Sequence, residues 1–414
     1  MAVASNESEP RKRRRGRKSD GEEKIGGDSS NFQGQKSLLI QLEGETWYNY
    51  GNQIPGWNTT TADDSSSSAP KHHIISKYRA MADLIYRKEV ELFRKSSSRG
   101  SDERWVENTM KRGTLKDRIA AMSVTISADP IHNLGVLDGL LQMAGCAPPS
   151  TNQSNNRSNP GSGGGPAGQT NSRVAQMAAE ALEDLFLNTF LPSDRKLLSL
   201  SHRPLNRYES GGGGGKKKSS QKTLSPRILL LWRLEEMLKD KYDMFLRQYM
   251  IHTLHEGVVT QKIATLRLAS TFLRSVPEGE SQLLAMMVNK LGDPEKKTAS
   301  AAGHELRRVL QQHPNMQQVI AREVQQLCHR PHLSARAQYN CIVFLNQLKL
   351  SRADDDDNGG NNDNKDKRQR GVEKSLPASL IKTYFRFFEV AVNKSKNDSS
   401  DESGIKSRLL SALL

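Results

Sequence analysis

Apolar residues recur at helical spacing along most of the chain, with polar breaks between the apolar runs. The spacing predicts a helix over 74–95 and another capped by Thr114, where Leu115 and Ile119 share one face and Asp117 favours the positive helix end. Leu134, Leu137, Leu140, Leu141 and Met143 form the next apolar face. Further helices are predicted at 173–190, 226–256, 259–275, 280–291, 294–311, 315–329, 333–350 and 376–393. No strand pattern is found, so the chain is predicted to be all-α.

The predicted helices come in pairs of similar length. Asp293 is a good N-cap and Pro294 suits the first helical position, so we expect a helix to begin there. Comparable starts at about 259, 293 and 333 are 34 and 40 residues apart. This period is typical of a HEAT- or armadillo-like solenoid, in which each pair buries its apolar face against the next. A plain helical bundle is the alternative.

Changes in composition divide the chain into three parts. Residues 1–36 are predicted to be a disordered basic tail, 37–110 an aromatic segment with a leading helix, and 111–414 the helical repeats. Polar inserts predicted to be disordered interrupt the repeats at 147–172, 209–225 and 351–375. The aromatic segment is expected to dock on a neighbouring segment or a partner through Trp47, Tyr48, Tyr50 and Trp57. The chain ends on apolar residues without a cap, so we expect the array to continue in a longer protein.

Charge and composition narrow the class of protein. The formal net charge is +15, and the three cysteines show neither a disulfide framework nor zinc-ribbon spacing, which favours a reducing compartment. No apolar run is long enough for a membrane span or a secretory signal. A basic block near the start is typical of a nuclear localisation signal or a polyanion-binding arm, with a merely solvated tail as the alternative. The block contains Arg11, Lys12, Arg13, Arg14, Arg15, Arg17 and Lys18.

Several motif matches do not support catalysis or metal binding. Gly163, Gly165 and Gly168 satisfy a dinucleotide-binding pattern without the strand that it needs, and Gly215-Lys216 lacks the first glycine and the Ser/Thr of a P-loop. The order of His252, His255 and Glu256 differs from that of a zinc protease helix. Cys328, His329 and His332 lack a fourth ligand nearby. We therefore expect a protein that is not an enzyme and needs no cofactor, metal ion or small-molecule substrate.

The strongest chemical signal is a basic window between residues 195 and 227. It holds nine basic residues and one acid, Glu209, for a net charge of +8. Lys and Arg can neutralise phosphates and release counterions with little reading of sequence, which predicts RNA binding; a solvated loop is the alternative. The candidates are Arg195, Lys196, Arg203, Arg207, Lys216, Lys217, Lys218, Lys222 and Arg227.

Several short motifs, in order along 47–414, resemble one known family, the CCAAT-binding factor domain family of nucleolar ribosome assembly factors. The motifs include Val288–Pro294, His313–Met316, Ala337–Tyr339, Phe344–Gln347, Trp47-Tyr48, Gly113–Leu115, Leu191-Pro192, Asp194–Leu197, Arg203-Pro204, Tyr384–Phe388 and Leu410–Leu414.

The resemblance implies a non-enzymatic factor of the nucleus and nucleolus that assembles the large (60S) ribosomal subunit. Its partners would be pre-ribosomal RNA, a second nucleolar complex protein bound as a heterodimer, and other assembly factors, with no membrane involved. Two alternatives remain open. One is a CCAAT-type DNA-binding transcription factor, and the other is a solenoid that binds only proteins, as a transport receptor does.

Overall fold

The protein is described by a computed structural model covering residues 37–42, 44–62, 69–96, 101–146, 172–209, 224–349 and 375–395, with residues 408, 411 and 412. Every regular element in these ranges is helical, which confirms the prediction of an all-α chain. The helices are α1 (Trp47–Asn52), α2 (His72–Ser96), α3 (Ser101–Arg112), α4 (Leu115–Ala128), α5 (Leu134–Met143), α6 (Ser172–Leu185), α7 (Asn206–Glu209), α8 (Pro226–Met244), α9 (His252–Glu256), α10 (Val259–Ser275), α11 (Glu280–Asn289), α12 (Lys296–Gln312), α13 (Gln317–Cys328), α14 (Ala335–Leu345) and α15 (Ser375–Ser395).

Most predicted helices are found within a few residues of their expected ends. A wide turn over Phe186–Phe190 extends α6, and Phe245–Ile251 joins α8 to α9, so that the predicted helix over 226–256 is continuous. Thr114 caps α4 by accepting a hydrogen bond of 3.3 Å from the Asp117 amide, as predicted. Helix α3 was not predicted, because its residues are mostly polar.

The predicted start of α12 at Pro294 is wrong. The helix begins at Lys296, and Asp293 accepts a hydrogen bond of 3.0 Å from the Glu295 amide in the turn before it. The carboxylate of Asp293 is buried, with the ammonium of Lys290 at 3.1 Å and that of Lys262 at 3.6 Å. The two lysines and the hydrogen bonds outweigh the burial of Asp293 and lower its pKa.

The helices pack in two rows. One row consists of α4, α6, α10, α12 and α14, in which each helix contacts the next. The other row consists of α8 with its extension, then α11, α13 and α15, and α2 packs on the outer side of α8. Successive helices α10, α12 and α14 begin 37 and 39 residues apart, at Val259, Lys296 and Ala335.

Helix α8 lies at the centre of the described structure. Residues on every face of it are buried, which is the pattern of a helix surrounded by protein. At its carboxyl end, aromatic rings pack edge to face between α6, α8 and α10, with ring centroids 5.1 to 6.5 Å apart. These rings belong to Phe186, Tyr242 and Phe272.

The aromatic segment docks on its own chain. Trp47 and Trp57 are fully buried, and the indole N–H of Trp47 donates to the Phe190 carbonyl at 3.0 Å. The indole N–H of Trp232 on α8 donates to the Trp57 carbonyl at 2.9 Å. The segment therefore joins α6 and α8 although it lies more than a hundred residues earlier in the chain.

A buried carboxylate holds the start of the described chain to α2. Glu89 accepts hydrogen bonds from the amides of Leu39 and Ile40 at 2.7 and 3.0 Å, and its Oε1 lies 3.7 Å from Nε2 of His132. The other ring nitrogen of His132 lies 2.8 Å from Asp129, and the ring stacks on Phe93. Burial alone lowers the pKa of His132, but Asp129 and Glu89 outweigh it and raise the pKa to about 9. Burial raises the pKa of Glu89, and His132 with the two amides outweighs it and lowers that pKa.

These two shifts predict that stability falls on both sides of neutral pH. The contribution of His132 is complete below its ordinary pKa of 6.5 and is lost as the pH rises through about 9, at a cost on the order of 3 kcal/mol. The contribution of Glu89 is present above its ordinary pKa of 4.5 and is lost as the solution becomes more acidic than its lowered pKa. Urea unfolding from pH 5 to 10 measures the alkaline loss. His132→Gln should remove most of this alkaline loss of stability. Equal slopes of the unfolding free energy against pH for the variant and the parent would contradict the assignment.

Candidate nucleic-acid interface

Residues 191–205 form a mostly non-helical strap across α8, bounded near its ends by Pro192 and Pro204. The Leu197 amide donates to Glu278 at 2.7 Å, and the Leu198 amide donates to Glu235 on α8 at 3.0 Å. The ammonium of Lys239 donates to the Leu197 carbonyl at 2.7 Å. Side chains of α8 and of the turn before α11 thus replace the partners that a helix would have given this backbone.

Arg203 is not available to RNA, which corrects its prediction as a phosphate contact. Its exposed fraction is 0%, and its guanidinium lies 2.5 Å from the carboxylate of Glu235, which is also fully buried. It also donates to the carbonyls of Trp57 at 2.8 Å and Thr59 at 3.3 Å, and lies over the ring of Trp232. A buried carboxylate needs such a partner, because an unpaired charge inside a protein is strongly unfavourable.

Arg195 is largely committed to the same cluster. Its guanidinium pairs with Glu235 and lies 5.7 Å from the ring centre of Trp57, leaving 22% of the side chain exposed. Glu236, which follows Glu235 in α8, accepts two hydrogen bonds of 2.8 and 3.1 Å from Arg79 on α2 and one of 2.7 Å from Arg233. We call Glu235, Glu236 and their four arginines the buried ion cluster.

Three of the predicted RNA-binding residues lie at the surface among those described. Lys196 is 56% exposed and forms an ion pair of 2.7 Å with Glu280, which raises its pKa. Arg207 is exposed on α7, and Arg227 is exposed in the first turn of α8. Arg227 also lines an open groove with Glu45, Tyr50 and residues of the 37–41 segment.

The remaining predicted residues lie outside the described ranges. These are Lys216, Lys217, Lys218 and Lys222 of the basic window, and Arg11, Lys12, Arg13, Arg14, Arg15, Arg17 and Lys18 of the basic block. The predicted tail at 1–36 lies outside the described residues, as does nearly all of the inserts at 147–172, 209–225 and 351–375.

The structure brings together further cations that were not predicted. Arg267 on α10 and Lys296, Lys297 and Arg308 on α12 line one groove. Arg267 lies about 30 to 40 residues before the three on α12, so a count in a short sequence window does not group them. One local signal was present, because two lysines stand in the first turn of α12, where acidic residues are stabilising.

The motif residues set aside as metal ligands have other contacts in the structure. His252 pairs with Glu256 at 3.1 Å on an exposed helix face. The ring of His329 stacks on Phe387, and the thiol of Cys328 is buried on α13. Burial of the ring and nearby Arg386 lower the pKa of His329.

Fold and surface together define an all-helical protein whose exposed basic residues come from several helices and their connecting segments. No helix in the described ranges is long and apolar enough to cross a bilayer. The chain is 30% identical over 385 residues to CCAAT/enhancer-binding protein zeta of Homo sapiens, which covers 92% of this chain. It is 32% identical over 248 residues, or 60% of the chain, to Nucleolar complex protein 1 of Drosophila melanogaster. It is 26% identical over 348 residues, or 80% of the chain, to Ribosome biogenesis protein NOC1 of Chaetomium thermophilum.

These similarities confirm the resemblance that the motifs predict: the chain is a homologue of CCAAT/enhancer-binding protein zeta and nucleolar complex protein 1. It spans 30% of the length of the human relative, 19% of the Drosophila relative and 31% of the Chaetomium relative. No family model matches the chain.

The buried ion cluster predicts that substitutions of Arg203 and of Arg207, four residues later in the chain, change the free energy of unfolding by very different amounts. Arg203→Ala should lower the free energy of unfolding by about 3 to 5 kcal/mol, because it leaves Glu235 buried with only part of its compensation. Arg207→Ala, on the exposed surface, should change it by less than about 0.5 kcal/mol. Urea unfolding followed by circular dichroism measures both. Similar midpoints for the two variants would refute a structural role for Arg203.

Proposed function

We propose that this chain belongs to a nucleolar assembly factor for the large (60S) ribosomal subunit, and that it acts by binding without catalysis. The observation that carries the proposal is its similarity, over most of its length, to proteins named Nucleolar complex protein 1 and Ribosome biogenesis protein NOC1. On this proposal the protein works in the nucleus and nucleolus, and the basic block at 11–18 is its nuclear localisation signal.

The two rows of helices support a HEAT- or armadillo-like solenoid as the scaffold. Hydrogen bonds between successive helix pairs join residues about 40 positions apart, close to the spacing at which α10, α12 and α14 begin. His313 donates to the Arg274 carbonyl at 2.9 Å, and Arg307 donates to Gln347. A solenoid offers an extended surface, on which a second nucleolar complex protein and other assembly factors can bind side by side.

The exposed cations support contact with pre-ribosomal RNA. Lys196, Arg207 and Arg227 lie on or beside helices that hold their backbones in place, while Lys216, Lys217, Lys218 and Lys222 supply further charge to the same basic window. Such contacts give affinity through counterion release and position the protein on RNA without reading bases.

Two other functions give different experimental results. The name of the human relative suggests a reader of CCAAT sequences. Such a reader would prefer a CCAAT duplex to a scrambled one by several kcal/mol. A helical array that binds only proteins is the other candidate, and it would stay on pre-ribosomal particles after ribonuclease treatment.

Ultraviolet crosslinking of the full-length protein in cells tests the proposed function. Reads concentrated on the precursor of the large-subunit RNA are expected. Their absence, together with ribonuclease-resistant association, would favour the protein-only alternative, and selective binding of CCAAT duplexes would favour the transcription factor.

Neutralising the three exposed cations of the basic window should weaken RNA binding with little loss of stability. The triple variant Lys196→Gln, Arg207→Gln, Arg227→Gln removes three phosphate contacts, so the slope of log K against log salt should fall by about 2 for single-stranded RNA. A matched control neutralises the exposed Arg322, Lys382 and Arg386 on α13 and α15. Equal slopes for the two variants would argue against the basic window as the interface.

A further inference from the structure

Helices α10 and α12 pack side by side and leave an open groove of about 860 Å³ between their outer faces. Six basic side chains line it: Arg267 from α10 and Lys296, Lys297, His304, Arg307 and Arg308 from α12. Among the described residues that line the groove, Glu305 is the one acid, and it is buried. Without counting His304, the lining carries five positive charges and one negative charge.

Three of these cations have no carboxylate partner in the part of the chain that the structure describes. Arg308 lies 3.1 Å from Glu305, and Arg307 is hydrogen-bonded to Gln347. Arg267, Lys296 and Lys297 are exposed, and no described acidic group lies within ion-pair distance of them. In contrast, all four arginines of the buried ion cluster are paired with carboxylates.

The fold gives no reason for two of these charges. Lys296 and Lys297 occupy the first turn of α12, where the helix dipole makes cations unfavourable. The cost is a few tenths of a kcal/mol each, which a nearby anion would offset. A residue that opposes the local preference of its element is expected mainly where it serves a function.

We propose that the groove between α10 and α12 is a second phosphate-binding surface, which takes the sugar–phosphate backbone of RNA. From Lys297 to Arg308 the face of α12 extends for about 16 Å, enough for several successive phosphates. Arginine guanidiniums match phosphate oxygens in a bidentate geometry. Among the described residues, no Phe, Tyr or Trp lines the groove, so the binding proposed there comes mainly from phosphate contacts, which do not read the sequence.

The choice of RNA as the occupant rests on the proposed function, since an acidic peptide would also complement the charge. A polyphosphate backbone carries charge at regular intervals along its whole length, and Lys297, His304 and Arg308, which all line the groove, recur along one face of α12. An acidic protein partner is the competing occupant and forms one arm of the test.

The test is the triple reversal Arg267→Glu, Lys296→Glu, Lys297→Glu in the 414-residue chain. It should lower the affinity for a single-stranded RNA about tenfold or more at 0.1 M salt and reduce the slope of log K against log salt by about 2. The melting temperature should stay the same or rise, because glutamates in the first turn of α12 favour the helix. If the variant loses RNA affinity while its stability is unchanged or higher, the loss comes from the missing phosphate contacts and not from misfolding.

The matched control reverses Arg322, Lys382 and Arg386 to glutamate, which changes the net charge by the same amount on other helices. It should retain most of the affinity. Equal losses of RNA affinity in the groove variant and the control would overturn the inference and leave net charge as the cause. If the groove variant binds RNA as tightly as the parent chain does, the inference is overturned and the proposed function stands. A parent chain that binds no RNA would overturn both. Tighter binding of a polyglutamate peptide than of an RNA of equal charge, lost in the groove variant, would assign the groove to an acidic protein and overturn the choice of RNA.

Discussion

The buried carboxylate of Glu235 constrains more of this structure than any other single group. Its exposed fraction is 0%, and it interacts with Arg195, Arg203 and the Leu198 amide. Charges taken out of water are tolerated only where partners surround them, so the strap must cross α8 where both arginines reach Glu235. The apolar stripes of α8 alone would not specify that position.

The same cluster carries the N-terminal aromatic segment. The Trp57 carbonyl accepts from Arg203 and from Trp232, so one backbone group joins the segment, the strap and α8. Glu236 extends the arrangement to α2 through Arg79. These contacts join residues between 32 and 175 positions apart, whereas the hydrogen bond of His313 with the Arg274 carbonyl, between α10 and the end of α12, joins residues 39 positions apart. The beginning of the described fold therefore combines its apolar core with a polar cluster that joins segments distant in the chain.

The parts of the fold that depend on periodicity were predictable from the sequence. Helix α10 begins and ends at the predicted residues because its apolar positions repeat every three to four residues. The failure at Arg203 has a different physical cause, since a charge count records sign and number but not burial. Arg203 and Arg207 are alike in such a count, and only the packing of the strap on α8 separates them. The run Leu229–Leu238 carried an overlooked signal, because two adjacent acids among apolar residues of a central helix require partners.

The basic residues of the described structure thus fall into two groups with opposite requirements. The arginines of the buried ion cluster stabilise the fold because each pairs with a buried carboxylate, and Arg195, Arg203 and Arg233 keep at most 22% of the side chain exposed to a ligand. Arg267, Lys296 and Lys297 have solvent around them and no described carboxylate close by, so they add repulsion to a chain of net charge +15. That repulsion is a cost in the free protein and becomes an attraction when a polyanion occupies the groove. The surface that destabilises the unbound chain is therefore the one best suited to gain free energy on binding.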